Sequence, residues 1–219
     1  GLAIAEAFAK EGAIVAINTR KPEDVLRHAA RFREEFGIQV IECPADISQP
    51  DQVDAMFETI KKEAGRLDVL VNNAILQGVG YSLVDTPRDM LESVFRVNVF
   101  GTYYCSQNAA KMMLEKRSGA IVNIGSITAE RGILNRTAYI ASKGSIDSLS
   151  RAMAVELGPQ GIRVNNVIAG YIHTPRWDDL TEEQTVTRRG SIPLGREADG
   201  AEVADAVMFL ASDQASNIN

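Results

Sequence analysis

Apolar residues change their spacing repeatedly along the chain. After Gly1, Leu2, Ile4, Ala5 and Phe8 recur at helical intervals and Gly12 ends the run. Residues 13–19, AIVAINT, then read as a buried strand, and Pro22 stands where a first helical residue is favoured, opening a charged helix to Gly37. The alternation continues with strand 38–43, helix 50–64 closed by Gly65, strand 67–72, and a long helical stretch from Thr86 and Pro87 to about 116. Strand 120–125, helix 137–158 and strand 162–168 follow. Parallel strands need crossover connections, so this order predicts an α/β fold: a parallel sheet covered by helices on both faces. No linker or repeat interrupts it, and one domain is expected. Residues 171–195 form the longest stretch without a strand, which reads equally as a substrate lid or as a surface connection with one short helix.

Composition narrows the class. With 219 residues, 45% hydrophobic and 24% charged, the chain fits a soluble globular domain. A net charge of −6 leaves no basic surface for nucleic acid. No run of about 18 apolar residues could span a bilayer, and no signal-peptide pattern occurs, so a cytoplasmic protein without membrane or nucleic-acid partners is expected. Cys43 and Cys105 are isolated, in apolar or helical surroundings, and read as buried thiols. Two Cys and two His show no ligand spacing, so no metal site is expected.

Ligands of an open parallel sheet bind beyond the carboxyl ends of the strands. That rule selects Thr19 and Arg20, Asp46, Asn72 and Asn73, Ser126, and Ala169 and Gly170. Tyr139 and Lys143 lie four apart on one helix and should share a face, with Ile146, Leu149, Met153 and Leu157 on a different, core-facing stripe. An ammonium beside a phenol favours phenolate, which would bring the tyrosine pKa down toward working pH. Ser126, thirteen residues earlier, could hydrogen-bond a substrate oxygen, or simply cap a turn. Asn98 sits inside a helical stretch where asparagine is disfavoured unless its amide has a local task. A hydrolase built on Ser126 with His28 or His173 would lack the G-x-S-x-G elbow.

Taken together, NNA at 72–74, NVFG at 98–101, GS at 125–126, YIASK at 139–143, VNNVIAGYIHT at 164–174 and the ending from Ile192 resemble the short-chain dehydrogenase/reductase family over essentially the whole chain. The resemblance implies a doubly wound, Rossmann-type sheet and an oxidoreductase that moves a hydride between a nicotinamide cofactor and a carbonyl or secondary alcohol. It implies a tetrad of Asn98, Ser126, Tyr139 and Lys143: Tyr139 exchanges the proton, Ser126 orients the oxygen, Lys143 binds the nicotinamide ribose and tunes the phenol, and Asn98 holds a water-linked proton path to Lys143. By the same resemblance Asp46 and Ile47 flank the adenine, Asn72 and Ala74 the adenosine ribose, and Gly170, Ile172 and Thr174 the nicotinamide. A homotetramer built on the helices near 99–116 and 137–158 is also implied. Alternatives left open are a 3-oxoacyl thioester reductase of the same family and a non-catalytic dinucleotide-binding protein.

Gly1 matches the last glycine of the family's phosphate loop, at the helix start that meets the pyrophosphate. Thr19 stands where NAD-preferring relatives present a carboxylate, and Arg20 next to it can clamp a 2′-phosphate, so NADP(H) is expected over NAD(H). Ile75 replaces the usual glycine after NNA and resists positive φ, so the loop there should run differently; Ala169 replaces a proline and should loosen the entry to the lid. Leu76, Val79, Tyr81, Ile133, Leu134, Tyr171 and Trp177 are expected around the substrate. Without the family's first and last strands the sheet would expose unpaired edges, so further residues are expected before Gly1 and after Asn219.

Overall fold

The computed structural model describes residues 1–219, apart from the side chain of Arg176. Its parallel strands are β1 (Val15–Thr19), β2 (Val40–Pro44), β3 (Val69–Asn72), β4 (Gly119–Ile124) and β5 (Ile162–Val167). The helices are α1 (Leu2–Lys10), α2 (Pro22–Phe36), α3 (Pro50–Ala64), α4 (Arg88–Phe95), α5 (Thr102–Leu114), α6 (Thr137–Leu157), α7 (Pro175–Asp178), α8 (Glu182–Gly190) and α9 (Gly200–Ala211). Each predicted strand is present within about two residues at its ends, which is the scatter expected of fraying termini. Pro22 and Pro50 open α2 and α3, and Gly37 and Gly65, at φ 65° and 69°, close them in the left-handed conformation that glycine adopts without a Cβ clash.

Side chains of β4 explain why both faces are covered. Ile121 packs with Phe57 of α3 and with Ala109 and Met113 of α5, whereas Val122 and Ile124 pack with Ile4 of α1 and with Ala204 and Val207 of α9. Successive residues of a strand point to opposite faces, so a run of apolar residues can be buried only between two helical layers. The strands form two ladders, β1 with β2 and β3–β4–β5, in place of the one continuous sheet that was expected. The core beneath α3 and α5 nevertheless joins them, since Ile41 and Cys43 of β2 share it with Ile121 of β4 and Ile162 of β5.

Two expectations change here. The long helix after Pro87 is not uniform: between α4 and α5 the residues Arg96–Gly101 form a turn of π-helix, a local widening that often marks a working site. The stretch 171–195 holds two helices, α7 and α8, and is tied down at both ends. Ile172 bridges Ala198 in parallel, and Arg189 and Arg196 pair with Glu197 and Glu202. No helix of the described residues is long and apolar enough to cross a membrane.

Candidate active site

Helix α6 carries the central pair. Its buried residues Tyr139, Ser142, Lys143, Ile146 and Ser150 are spaced three and four apart, so they form one stripe. Tyr139 and Lys143 therefore continue the core face through Ile146, where the sequence had suggested a separate face. The reason lies in the neighbours: α6 packs against α4, the π turn and the segment after β4, and its solvent side in the first turns is taken by Thr137 and Ala141. Tyr139 is 8% exposed and Lys143 4%.

That burial reverses one electrostatic expectation. Desolvation raises the Tyr139 pKa above its ordinary value; the hydrogen bond from Ser126 and the charge of Arg136 act downward but are smaller. Desolvation also lowers Lys143, to about 8, so its ammonium is a weaker partner than an exposed lysine would be. Its Nζ lies 5.9 Å from the Tyr139 ring centroid and donates to the carbonyl of Ile124 at 2.6 Å. At neutral pH the phenol is thus held protonated, ready to give a proton to a carbonyl oxygen.

Ser126 follows β4 directly. Its Oγ lies 2.9 Å from Thr128 Oγ1 and accepts the Thr128 N–H at 3.3 Å, a short polar turn that fixes the rotamer. Backbone bonds pin this turn to the next strand: Gly125 N–H donates to Val167 and Ile127 N–H donates to Ala169. Ala169 is accordingly held by its carbonyl. Asn98, inside the π turn, is 2% exposed. Its Oδ1 accepts the Leu76 N–H at 2.7 Å, and its Nδ2 donates to Leu76 O and to Ser142 Oγ, both at 2.9 Å. One amide therefore clamps the loop after β3 to α6. Thr128 and Ser142 were not singled out from sequence; their signal was proximity, two residues after Ser126 and one before Lys143.

The presumed departure at Ile75 is resolved by shifting the turn. Ile75 avoids positive φ, which falls instead on Gly78 (48°) and Gly80 (106°). A Cβ on Gly78 would meet Val94 of α4 at 2.4 Å, so the loop packs on the helix where only glycine fits.

The other predicted contacts gather at the carboxyl ends of the strands. The Thr19 hydroxyl donates to Lys21 O and accepts the Lys21 N–H, closing a turn that leaves Arg20 exposed and, among the described residues, without an ion pair. Thr19 O accepts the Ala45 N–H at 3.1 Å, which brings Asp46 beside it. Ile47 turns inward and packs on Gly101 of the π turn. The Asn72 amide is committed internally, to Ser106 and Asn123, leaving its main chain and exposed Ala74 at the crevice. Gly1 precedes α1 beside Asn73, whose Nδ2 a Cβ at Gly1 would meet at 2.6 Å, and no side chain caps the first turn of that helix. Gly170 and Thr174 are exposed beyond β5, and Ile172 is fixed by its bridge. Trp177 is buried in the lid's own packing, against Tyr171 at 6.0 Å and under Arg188, instead of lining a pocket.

The helix start at Gly1 beside Asn73, together with Arg20 exposed and without an ion pair among the described residues at the end of β1, suits the phosphates of a dinucleotide. The fold and site define a dinucleotide-dependent oxidoreductase. A family model described as enoyl-(acyl carrier protein) reductase matches residues 1–219, and the chain belongs to the short-chain dehydrogenase/reductase family. It is 37% identical to a glucose and ribitol dehydrogenase homolog from Oryza sativa subsp. japonica, over 99% of this chain and 77% of that protein. It is 33% identical to a 3-oxoacyl-acyl-carrier-protein reductase of Staphylococcus aureus, over 100% and 88%. Among solved structures, an NAD+-bound xylitol dehydrogenase superposes with a TM-score of 0.94 at 28% identity, covering 100% of this chain and 90% of that one. A gluconate 5-dehydrogenase from Burkholderia cenocepacia J2315, in complex with NADP and tartrate, gives 0.94 at 29%, covering 100% and 87%. The chain is an oxidoreductase that transfers hydride between a nicotinamide dinucleotide and a carbonyl or alcohol group.

Proposed function

We propose that Tyr139 exchanges the proton in this reaction, that Ser126 orients the reacting oxygen, and that the cofactor is NADP(H). The observation that carries the reading is the shared buried stripe of Tyr139 and Lys143, with the Ser126 hydroxyl acting to lower the pKa of the phenol. When bound, the nicotinamide supplies or accepts the hydride. In reduction the Tyr139 hydroxyl gives its proton to the carbonyl oxygen, which Ser126 holds by a second hydrogen bond. Lys143 refills the phenol through the polar interior, and Asn98 keeps the loop after β3 and Ser142 in register while this happens. Gly1 and the first turn of α1 would hold the pyrophosphate, Asp46 and Ile47 the adenine, Asn72 and Ala74 the adenosine ribose, and Gly170, Ile172 and Thr174 the nicotinamide.

Arg20 supports the NADP(H) preference, because a free guanidinium at that position suits the 2′-phosphate and no carboxylate replaces Thr19. Arg20→Asp should raise the KM for NADPH while leaving NADH use intact or improved. A charge-assisted hydrogen bond contributes about 1.5–3 kcal/mol, so the loss is roughly ten- to a hundredfold. Initial rates with both cofactors check it, and a wild-type enzyme that uses NADH as well as NADPH would overturn the assignment.

Leu91, Phe100 and Tyr103 are 43%, 47% and 49% exposed on α4, the π turn and α5, beside a groove of about 360 Å³ lined by Leu91, Phe95 and Phe100. This apolar strip supports a homotetramer that uses these helices. Phe100→Asp should shift the species seen by light scattering after size exclusion toward smaller assemblies. Buried Cys43 and Cys105, with pKa values raised to about 12 by burial, support a cytoplasmic setting with reduced thiols.

A further inference from the structure

The turn after β4 is well held by its main chain. Gly125 and Ile127 donate to Val167 and Ala169, and within the turn Ala129 N–H donates to Ser126 O at 3.0 Å while Glu130 and Arg131 N–H donate to Ile127 O, each at 3.1 Å. Backbone bonding of this kind fixes the turn without a side-chain hydroxyl. The Thr128 hydroxyl is nevertheless buried there, in a residue 8% exposed, with its Oγ1 2.9 Å from Ser126 Oγ. Serine and threonine hydroxyls in helical turns often donate back to a carbonyl of the preceding turn, and Ser142, Ser145 and Ser150 of α6 each do so. Thr128 differs: among the described residues its hydroxyl bonds only to Ser126.

A hydroxyl has one hydrogen and two lone pairs. Ser126 Oγ accepts the Thr128 N–H at 3.3 Å, which fills the first lone pair. Orienting a reacting oxygen takes the single hydrogen, and the 2.9 Å bond then forms only if Thr128 donates into the second lone pair. One residue thereby fills both acceptor sites. The Ser126 hydrogen is left to point toward α6, against which the turn Ile127–Ala129 packs and on which Tyr139 stands. In keeping with this, Ser126 acts to lower the pKa of the phenol, as a donor to phenolate does and an acceptor from the phenol does not.

We propose that Thr128 is a positioning residue, which donates its hydroxyl hydrogen to Ser126 Oγ and so makes Ser126 an obligate donor to the reacting oxygen. The inference rests on the reading of Ser126 as the group that orients this oxygen. With its second lone pair open, Ser126 could accept the Tyr139 hydrogen and turn that proton away from the carbonyl. With the lone pair filled, the proton of Tyr139 faces the substrate. A hydroxyl that receives a hydrogen bond also donates a stronger one.

Thr128→Val keeps the shape and removes the hydroxyl, and Thr128→Ser restores it. Phenolate absorbance is titrated against pH on wild type and both variants, each with its Tyr139→Phe counterpart as blank, so that the difference belongs to Tyr139 and requires no substrate. Thr128→Val should raise the pH at which Tyr139 ionises by roughly half to one unit, the worth of one neutral hydrogen bond, and Thr128→Ser should return it toward wild type. With Ser126→Ala already in place, Thr128→Val should move the ionisation no further. Where wild type reduces ethyl 3-oxobutanoate, Thr128→Val should lower kcat roughly three- to tenfold with KM little changed. An unmoved ionisation, with or without a fall in melting temperature, marks a purely structural residue and overturns the proposal; so does an equal shift in the Ser126→Ala background, or a loss confined to KM. Ser126→Ala at wild-type ionisation and turnover would remove the reading of Ser126 as well, which separates that failure from the failure of Thr128 alone.

Discussion

Tyr139→Phe lowers the turnover of every carbonyl substrate by about 10²–10⁴-fold, the share that a positioned proton donor contributes. The fold should survive the change, because the buried ring is kept and only the hydroxyl is lost. The melting temperature should stay within about 2 °C of wild type, and NADPH should still bind. Initial rates, calorimetry and cofactor titration on one preparation separate these effects. Turnover retained in full would exclude Tyr139 as the proton donor and would reopen the reading of a site that binds a dinucleotide without using this phenol.

Lys143→Met should abolish most activity and yet stabilise the cofactor-free protein. The lysine is 4% exposed, and its pKa drops from the ordinary 10.5 to about 8 because burial penalises the charged form. Below pH 8 it is protonated both folded and unfolded, so the folded state bears the full penalty of an ammonium in a dry environment. Between pH 8 and 10.5 the unfolded chain holds the proton that the folded chain has released, so wild-type stability rises with pH across that window. A gap of this size is worth about 3 kcal/mol, from which the unpaired Ile124 carbonyl left in the variant subtracts about 1–3 kcal/mol. The variant should melt a few degrees higher at pH 7, and its advantage should shrink as the pH approaches 10.5. A lower melting temperature at pH 7 would show that the bond to Ile124 outweighs the burial of the charge.

Both predictions depend on burial that the helical spacing of Tyr139 and Lys143 left undetermined. Spacing of four showed that the two side chains meet, and the strand-to-helix alternation located Ser126, Arg20 and Asp46 at one edge of the sheet. Those features are local: they follow from periodicity, from proline at helix starts, and from glycine at helix ends. The chemistry between the groups is not local. The direction of the Tyr139 shift was misjudged from sequence because a nearby ammonium was weighed without the desolvation that both groups undergo on a shared stripe. Asn98 was marked as out of place in a helix, correctly, but the job of its amide, clamping Leu76 and Ser142, needs partners 22 and 44 residues away. The stretch 171–195 reads equally as a lid or as a surface connection with one short helix, and what ties it down is equally remote: the bridge from Ile172 to Ala198 and the ion pairs of Arg189 and Arg196 with Glu197 and Glu202.

The amino-acid order by itself determined the alternation of strands and helices, the covering of the sheet on two sides, and which side chains are candidates for the chemistry. All of these follow from short-range sterics and from which residues avoid water. Tertiary structure alone decided how far each candidate group is removed from solvent and which amides are spent inside the core. These depend on what the rest of the chain brings alongside each residue, and hydration and Coulomb energies respond to that arrangement in space.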